Sequence, residues 1–312
     1  MWKSDWRSEY RKKLCSAEQA AQAVQNGDLI VLPICLGQPS NLIMDAIADR
    51  KNELKEVEFL ANLIIRPYKI FHLEYSESFK ITTAFTSTRP LRARFPAEGG
   101  YGPYTPVTVF SASKMFTVYR RPDVAALMVT PPDKDGFVNL GPDLMFTRAI
   151  VEGRVTAQGI MGGARTVIAE VNDQYVPVCG DARMHISNFT HIVENSTPMI
   201  AAPPPVITEP HREIAKNVVS LLRDRDTIQI GIGAMPMIIS DLIVESDLKD
   251  IGILTEMLPS GAPKWVERRI CTGKYKNYRP GEITCCFMGP VKELYDFVRD
   301  NPLVGFRTNE IT

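Results

Sequence analysis

The sequence predicts an α/β protein of two lobes built on open, largely parallel sheets. Its 312 residues exceed the usual length of a domain with one hydrophobic core and are enough for two such domains. Short apolar runs typical of buried strands alternate with segments of helical periodicity, which is the pattern of parallel sheets covered by helices. Residues 203–205 are all proline and interrupt that alternation, which favours an extended spacer. We therefore predict two domains, residues 1–200 and 206–312.

The elements of the first domain follow from local patterns. Ser16 and Gln19 have the spacing of a capping box, so a short helix begins there and ends near Gly27. The apolar run 29–32 predicts a strand buried on both faces, and Pro39 opens a second helix that continues to Asp49. Further predictions are strands at 57–60, 81–85, 107–110, 124–129 and 166–171 and a helix from 146 to 161.

The second domain begins with a helix that Thr208 can cap. Residues 227–230 predict a buried strand, and Pro236 suits the first turn of the helix that follows. The next predicted strand, 251–255, ends on Glu256. A strand–helix–strand unit of this kind almost always has a right-handed crossover and two parallel strands.

Composition excludes some classes of binding partner and indicates the cellular compartment. The 36 Lys and Arg residues match the 36 Asp and Glu residues, so no overall field attracts nucleic acid or an anionic membrane. The charged amino terminus resembles no signal peptide, and no apolar run is long enough to span a membrane. We therefore expect a cytoplasmic protein. Six scattered cysteines predict reduced thiols, and the spacing of the four histidines gives no support for a metal site.

The glycine loop and Glu256 are the best candidates for a functional site. Ligands of open parallel sheets bind beyond the carboxyl ends of the strands, where both features are expected to lie. Gly231 and Gly233 allow close approach of the backbone, and the helix after them offers free N–H groups. The same spacing also fits a dinucleotide site in which Glu256 binds ribose hydroxyls, although Pro236 occupies the position of the third glycine. Spacing alone leaves both interpretations open.

Several motifs in order resemble the acetyl-CoA hydrolase/transferase family, which includes 4-hydroxybutyrate CoA-transferases. They are PPD (131–133), GFVNLG (136–141), IAEVN (168–172), GD (180–181), HIS (185–187), QIGIGAMP (229–236), GILTEM (252–257), LYDF (294–297) and NP (301–302). The resemblance covers almost the whole chain. It implies two related α/β lobes with the active site between them and a catalytic glutamate at the position of Glu256.

The resemblance also implies the reaction and further site residues. The expected activity is transfer of coenzyme A from an acyl-CoA to a short-chain carboxylate through a glutamyl thioester on Glu256. CoA is then a substrate, and no cofactor is bound permanently. The candidates for oxyanion stabilisation or CoA binding are Gln229, Gly231, Gly233 and Ala234, and the candidates for the substrate cleft are Arg89, Asn139 and His185. Arg89 fits a solvated loop equally well, and His185 also fits a structural role.

Three departures from the family pattern qualify this expectation. Leu254 stands where the family often has histidine, and Asn139 stands where serine is common. The sequence stops at Thr312, before the glycine-rich CoA-binding segment of the family, so we expect an incomplete second lobe. Either the chain is a fragment or a partner chain supplies the rest, and we expect a homo-oligomer or a complex with a chain that completes the second lobe. Acyl-CoA hydrolysis and a non-catalytic nucleotide-binding or regulatory module are the alternative functions.

Overall fold

The computed structural model describes residues 5–84, 104–115, 119–156, 159–161, 163–203 and 206–308. These residues belong to two compact units. The first unit comprises Met1–Tyr175 and Arg183–Pro198, and the second comprises Val176–Ala182 and Met199–Thr312. No helix in the described ranges is both long enough and apolar enough to cross a membrane.

The described residues form nine helices and seventeen strands. The helices are α1 (Trp6–Lys13), α2 (Ala17–Ala21), α3 (Asn41–Ala48), α4 (Ala112–Lys114), α5 (Thr147–Glu152), α6 (Glu209–Val219), α7 (Ala234–Val244), α8 (Ala262–Glu267) and α9 (Lys292–Val298). The strands are β1 (Leu29–Val31), β2 (Val57–Leu60), β3 (Phe79–Thr82), β4 (Val124–Val129), β5 (Phe137–Asn139), β6 (Arg154–Thr156), β7 (Gly159–Met161), β8 (Thr166–Val171), β9 (Cys179–Gly180), β10 (Arg183–His185), β11 (His191–Glu194), β12 (Thr227–Ile228), β13 (Gly252–Ile253), β14 (Met257–Leu258), β15 (Ile283–Cys285), β16 (Phe287–Met288) and β17 (Val304–Phe306).

A six-stranded parallel sheet forms the centre of the first unit, in the order β11-β8-β4-β1-β2-β3. All six residues of β4 and all six of β8 are buried, because helices and loops cover both faces of a parallel sheet. The chain adds strands outward from β1 to β3 and then resumes at β4, on the other side of β1. The carboxyl ends of β1 and β4 therefore flank a topological switch point, the usual place for a ligand in such sheets.

The predicted α/β class with mostly parallel strands is confirmed, and the strands predicted at 57–60, 124–129 and 166–171 are present with those bounds. The capping box of Ser16 and Gln19 is also present. The strand predicted at 107–110 is wrong, since residues 109–111 form a 3-10 turn. The helix predicted from 146 to 161 ends at Glu152 because Gly153 adopts a φ of 76°, and the chain continues into the antiparallel pair β6–β7.

The second unit contains three small parallel sheets, β12-β13, β14-β16 and β15-β17-β9. The strand β9 belongs to Val176–Ala182, a segment that precedes the proline run. Sequence patterning places this segment in the first domain, whereas its pairing with β17 joins it to the second unit. The predicted helix after Pro236 is confirmed as α7. The division into domains at residues 1–200 and 206–312 stays a prediction.

The first unit contains a buried carboxyl group, that of Asp143, in which one of the two oxygens lacks a hydrogen-bond partner among the described residues. Asp143 is completely buried. Its Oδ1 accepts a hydrogen bond from the backbone N–H of Met145 at 3.2 Å, but its Oδ2 has no partner among the described residues. Burial raises the pKa of Asp143 to about 8, although hydrogen bonds from neighbouring groups oppose the shift. Burial therefore favours the protonated form of Asp143 in the folded protein.

We expect the Asp143→Asn variant to be more stable than the wild type at about pH 8 and close to it near pH 4. Because the pKa of Asp143 is higher in the folded state than in the unfolded state, the wild type loses stability as the pH rises between these values. Asparagine does not titrate. Thermal unfolding across this range should show a difference of several degrees that grows with pH. A difference that does not change with pH would contradict the assignment.

Candidate functional site

Glu256 lies at the carboxyl end of the strand that the sequence places before it. β13 ends at Ile253, Leu254 bridges to Thr284, and the carbonyl of Glu256 accepts hydrogen bonds from the N–H groups of Cys286 and Phe287 at 3.0 and 3.2 Å. The backbone on both sides of Glu256 is therefore held by neighbouring strands. Its side chain is directed by a fixed strand end and not by a free loop.

The carboxylate of Glu256 is half-buried, and no described residue gives it a hydrogen bond or an ion pair. Burial raises the pKa of Glu256 above the usual range of a glutamate, and no other group opposes the shift. A carboxylate that is desolvated and lacks a cation is more basic, and hence more nucleophilic, than a solvated one. This environment is what attack on a carbonyl carbon requires.

The glycine loop, residues 231–233, follows β12 and leads into α7. Gly233 precedes the first residue of α7 and has a φ of 134°, a conformation that side chains disfavour. We find no acceptor in the described part of the chain for the N–H groups of Gly231, Ile232, Gly233 or Ala234. The loop thus presents free donors beside the positive end of the α7 dipole, a suitable arrangement for a negatively charged oxygen.

Thr255 joins the glycine loop to the strand that carries Glu256. Its buried hydroxyl accepts a hydrogen bond from the backbone N–H of Ile230 at 2.9 Å and donates to the carbonyl oxygen of Ile230 at 2.8 Å. Backbone pairing between β12 and β13 ends just before this point, so the hydroxyl replaces the next step of the ladder. Thr255, the residue before Glu256, therefore fixes the position of Ile230, the residue before the glycine loop.

Lys276 supports the same strand from within the second unit. Its side chain is only 6% exposed, and its Nζ donates to the carbonyl oxygens of Ile253 (2.7 Å) and Glu282 (2.6 Å) and to the Thr284 Oγ1 (3.0 Å). Burial lowers the pKa of Lys276, and Glu282 partly offsets the shift. A Cβ atom at Gly252 would lie 2.4 Å from the Lys276 Cγ, so the sequence needs glycine there. The ammonium group ties the end of β13 to β15.

The position and exposure of Gln229 differ from the prediction. The sequence predicts a buried strand at residues 227–230, but β12 covers only Thr227 and Ile228, and Gln229 is exposed. The reason is that β12 pairs with β13 alone among the described strands, which leaves its other side open. The side chain of Gln229 forms no hydrogen bond with the described residues, and its binding role stays a prediction.

The remaining candidates belong to the first unit. Asn139 ends β5, and its side-chain oxygen accepts a hydrogen bond from the N–H of Gly141 at 2.8 Å. The Nδ1 of His185 accepts one from the N–H of Ser187 at 3.2 Å and so caps a 3-10 turn. These contacts support local turns, and the predicted substrate-cleft roles stay untested. Arg89 lies outside the described residues.

The structure links Thr255, which precedes Glu256, to Ile230, which precedes the glycine loop. It also adds two residues, Thr255 and Lys276, that the sequence patterns do not select. Thr255 and Lys276 act through neighbouring backbone groups. Thr255 lies within the motif GILTEM, directly before the candidate nucleophile, which is the signal that could have selected it. Lys276 lies outside all of the family motifs, and no sequence pattern marks its contact with Ile253. Across the described residues, no cluster of three or more His, Cys, Asp or Glu side chains is placed to hold a metal ion.

The fold agrees with the comparison to known protein families. The sequence profile of the acetyl-CoA hydrolase/transferase N-terminal domain matches residues 1–204, which is more than half of the chain. The chain therefore belongs to the acetyl-CoA hydrolase/transferase family.

Particular relatives are CoA-transferases. The chain is similar to 4-hydroxybutyrate coenzyme A transferase of Clostridium kluyveri, with 30% identity over 96% of this chain and 66% of the relative. It is also similar to succinyl-CoA:acetate/propanoyl-CoA:succinate CoA transferase of Fasciola hepatica, with 31% identity over 80% of this chain and 52% of the relative. The crystal structure of RipA from Yersinia pestis superposes with a TM-score of 0.87 and 25% identity, covering 98% of this chain and 70% of RipA. The chain thus spans two thirds or less of the length of these two curated relatives.

Proposed function

We propose that this chain contributes the nucleophile of an acyl-CoA:carboxylate CoA-transferase, and that this nucleophile is Glu256. The observation that supports the proposal is the local geometry of the second unit. A desolvated carboxylate without a partner lies next to Thr255, which holds a loop of free N–H donors at the same strand end. Membership of the family and the printed names of the relatives support the reaction class.

The reaction begins when a carboxylate oxygen of Glu256 attacks the carbonyl carbon of the acyl-CoA thioester. The C–S bond breaks, which releases the CoA thiolate and leaves a mixed anhydride between the acyl group and Glu256. The thiolate then attacks the glutamyl carbonyl, the acyl group leaves as a free carboxylate, and a glutamyl-CoA thioester remains. No proton transfer is needed, because every nucleophile and leaving group in these steps is an anion.

The second half of the reaction repeats these steps in reverse. An incoming carboxylate attacks the glutamyl thioester, the CoA thiolate leaves, and a new mixed anhydride forms. Attack of the thiolate on the acyl carbonyl then gives the new acyl-CoA and restores the Glu256 carboxylate. Each tetrahedral intermediate carries a negative oxygen, and the N–H groups of Gly231, Ile232, Gly233 and Ala234 are the proposed donors for it. Gln229 is proposed as a contact of CoA near this loop.

Borohydride trapping tests the proposal in the protein that carries this chain. Incubation with acyl-CoA followed by borohydride should convert Glu256 to the corresponding primary alcohol, which mass spectrometry of the peptide detects. Repeated turnover of acyl-CoA should require a carboxylate acceptor and should yield a new acyl-CoA. Repeated turnover without any acceptor would favour hydrolysis instead. No trapped product and no CoA exchange into carboxylates, with stabilisation by NADH but not by CoA, would support a nucleotide-binding module and overturn the proposal.

A further inference from the structure

Arg66 is a buried cation at the carboxyl edge of the first unit's sheet. It follows β2 by six residues, and its side chain is only 9% exposed. Its Nε is enclosed without a hydrogen-bond partner, and we find no hydrogen bond or ion pair from any atom of its guanidinium to a described residue. A buried charge without a partner costs several kcal/mol, so such a group normally has an anion in its functional state.

The loop that carries Arg66 is held firmly. The amide of Gln38, which is fully buried, donates to the carbonyl oxygens of Asn62 and Leu63 at 3.2 Å and accepts from the N–H of Ile65 at 3.1 Å. The hydroxyl of Tyr68 donates to the carbonyl oxygen of Pro39 at 2.6 Å. Arg66 therefore projects from a preorganised loop, and its lack of a partner is not the result of a loose backbone.

Backbone strain accompanies this arrangement. Leu63 and Cys35 both have a φ of 42°, a left-handed conformation that bulky side chains rarely adopt. The N–H of Cys35 donates to the carbonyl oxygen of Leu63 at 3.2 Å, so the two strained residues face each other across the two loops. Strain of this kind persists mainly where ligands bind.

Two carboxylates, Glu170 and Asp45, lie close enough to Tyr68 to act on it electrostatically, as Arg66 does. Glu170 is fully buried and accepts hydrogen bonds from the Ser40 N–H (2.7 Å) and the Asn195 Nδ2 (2.9 Å). The Asp45 Oδ2 lies 3.8 Å from the Lys69 Nζ, and the Asp45 Oδ1 is buried without a hydrogen-bond partner among the described residues. Neither carboxylate forms an ion pair with Arg66. An external anion is therefore the group that would pair with the guanidinium of Arg66.

We propose that Arg66 binds the carboxylate group of an organic acid. The planar guanidinium fork can donate two parallel hydrogen bonds to one carboxylate. This bidentate pair is strongest where water is excluded. Phosphate is the other oxyanion that suits the fork, and CoA would supply it. The enclosed position favours the smaller, singly charged carboxylate. The choice of a carboxylate as ligand rests on the proposed function, which uses a carboxylate as acceptor. The inference that Arg66 forms an anion site does not rest on it.

Titration with butyrate, succinate and inorganic phosphate, followed by calorimetry and thermal shift, tests the site in the protein that carries this chain. We expect a carboxylate to bind the wild type, and Arg66→Met to weaken that binding roughly 10- to 100-fold, since one charge-assisted pair is lost. Arg66→Lys keeps the charge but loses the fork and should bind with intermediate affinity. The matched control is Arg120→Met, because Arg120 is already paired with Glu58 at 2.5 Å in the same unit.

The outcomes separate this inference from the proposed function. Equal carboxylate binding by wild type, Arg66→Met and Arg66→Lys would overturn it, as would a wild type that binds no carboxylate or binds only phosphate. If carboxylate binding depends on Arg66 but no CoA exchange occurs, the proposed function fails and the site stands. If CoA exchange occurs and carboxylate binding does not depend on Arg66, the proposed function stands and the site fails.

Discussion

We expect the Glu256→Gln variant to lose CoA exchange by roughly 10⁴-fold or more, because the amide cannot form the mixed anhydride or the glutamyl thioester. The loss should appear in kcat and in kcat/KM alike, since the reaction has no second route once the nucleophile is removed. Exchange of labelled CoA between an acyl-CoA and a carboxylate measures it. Borohydride should trap no alcohol at this position in the variant.

Stability measurements distinguish loss of the nucleophile from loss of the fold. The raised pKa of Glu256 results from burial, so the folded wild type gives up stability as the pH rises above the ordinary glutamate range. Glutamine does not ionise, and the variant should therefore unfold at the same or a higher temperature than the wild type at neutral pH. The matched control is Glu267→Gln, which changes an exposed glutamate at the end of α8. An active Glu256→Gln enzyme would refute the assignment.

Much of the first unit could be predicted because its signals are local. β4 is a continuous apolar run, and β8 is apolar except at Thr166 and Glu170. Every residue of both strands is buried, and their bounds follow from the sequence alone. The limit of this reasoning appears at Gly153, whose positive φ stops a segment that otherwise has helical periodicity. The conformation of one glycine, and not the apolar pattern around it, decides where α5 ends.

The candidate site shows the same division between local and distant effects. The positions of the glycine loop and Glu256 follow from a strand–helix–strand pattern, which lies within one stretch of chain. The role of Lys276 depends on a lysine side chain reaching a carbonyl 23 residues away, and no periodicity reports that contact. The significance of Arg66 is that it lacks a partner among the described residues, which only the folded arrangement of the loop after β2 reveals.

We expect the Thr255→Val variant to lose about 2–4 kcal/mol of stability and to lower kcat by roughly 10²-fold. Valine has nearly the shape of threonine but lacks the hydroxyl, so both the N–H and the carbonyl of Ile230 lose their partner in a buried position. The glycine loop that begins at the next residue then loses its link to the strand of Glu256. Denaturant unfolding and single-turnover acyl transfer measure the two effects.

The conservative Thr255→Ser variant separates the hydroxyl from the side-chain volume. Serine keeps both hydrogen bonds to Ile230 and removes only a methyl group, so it should cost about 1 kcal/mol and leave most of the activity. A merely structural Thr255 would lower the stability of the valine variant while its folded fraction kept the wild-type kcat. In our interpretation kcat falls even in the folded fraction and KM changes little, because displaced donors no longer match the negative oxygen that develops during attack by Glu256.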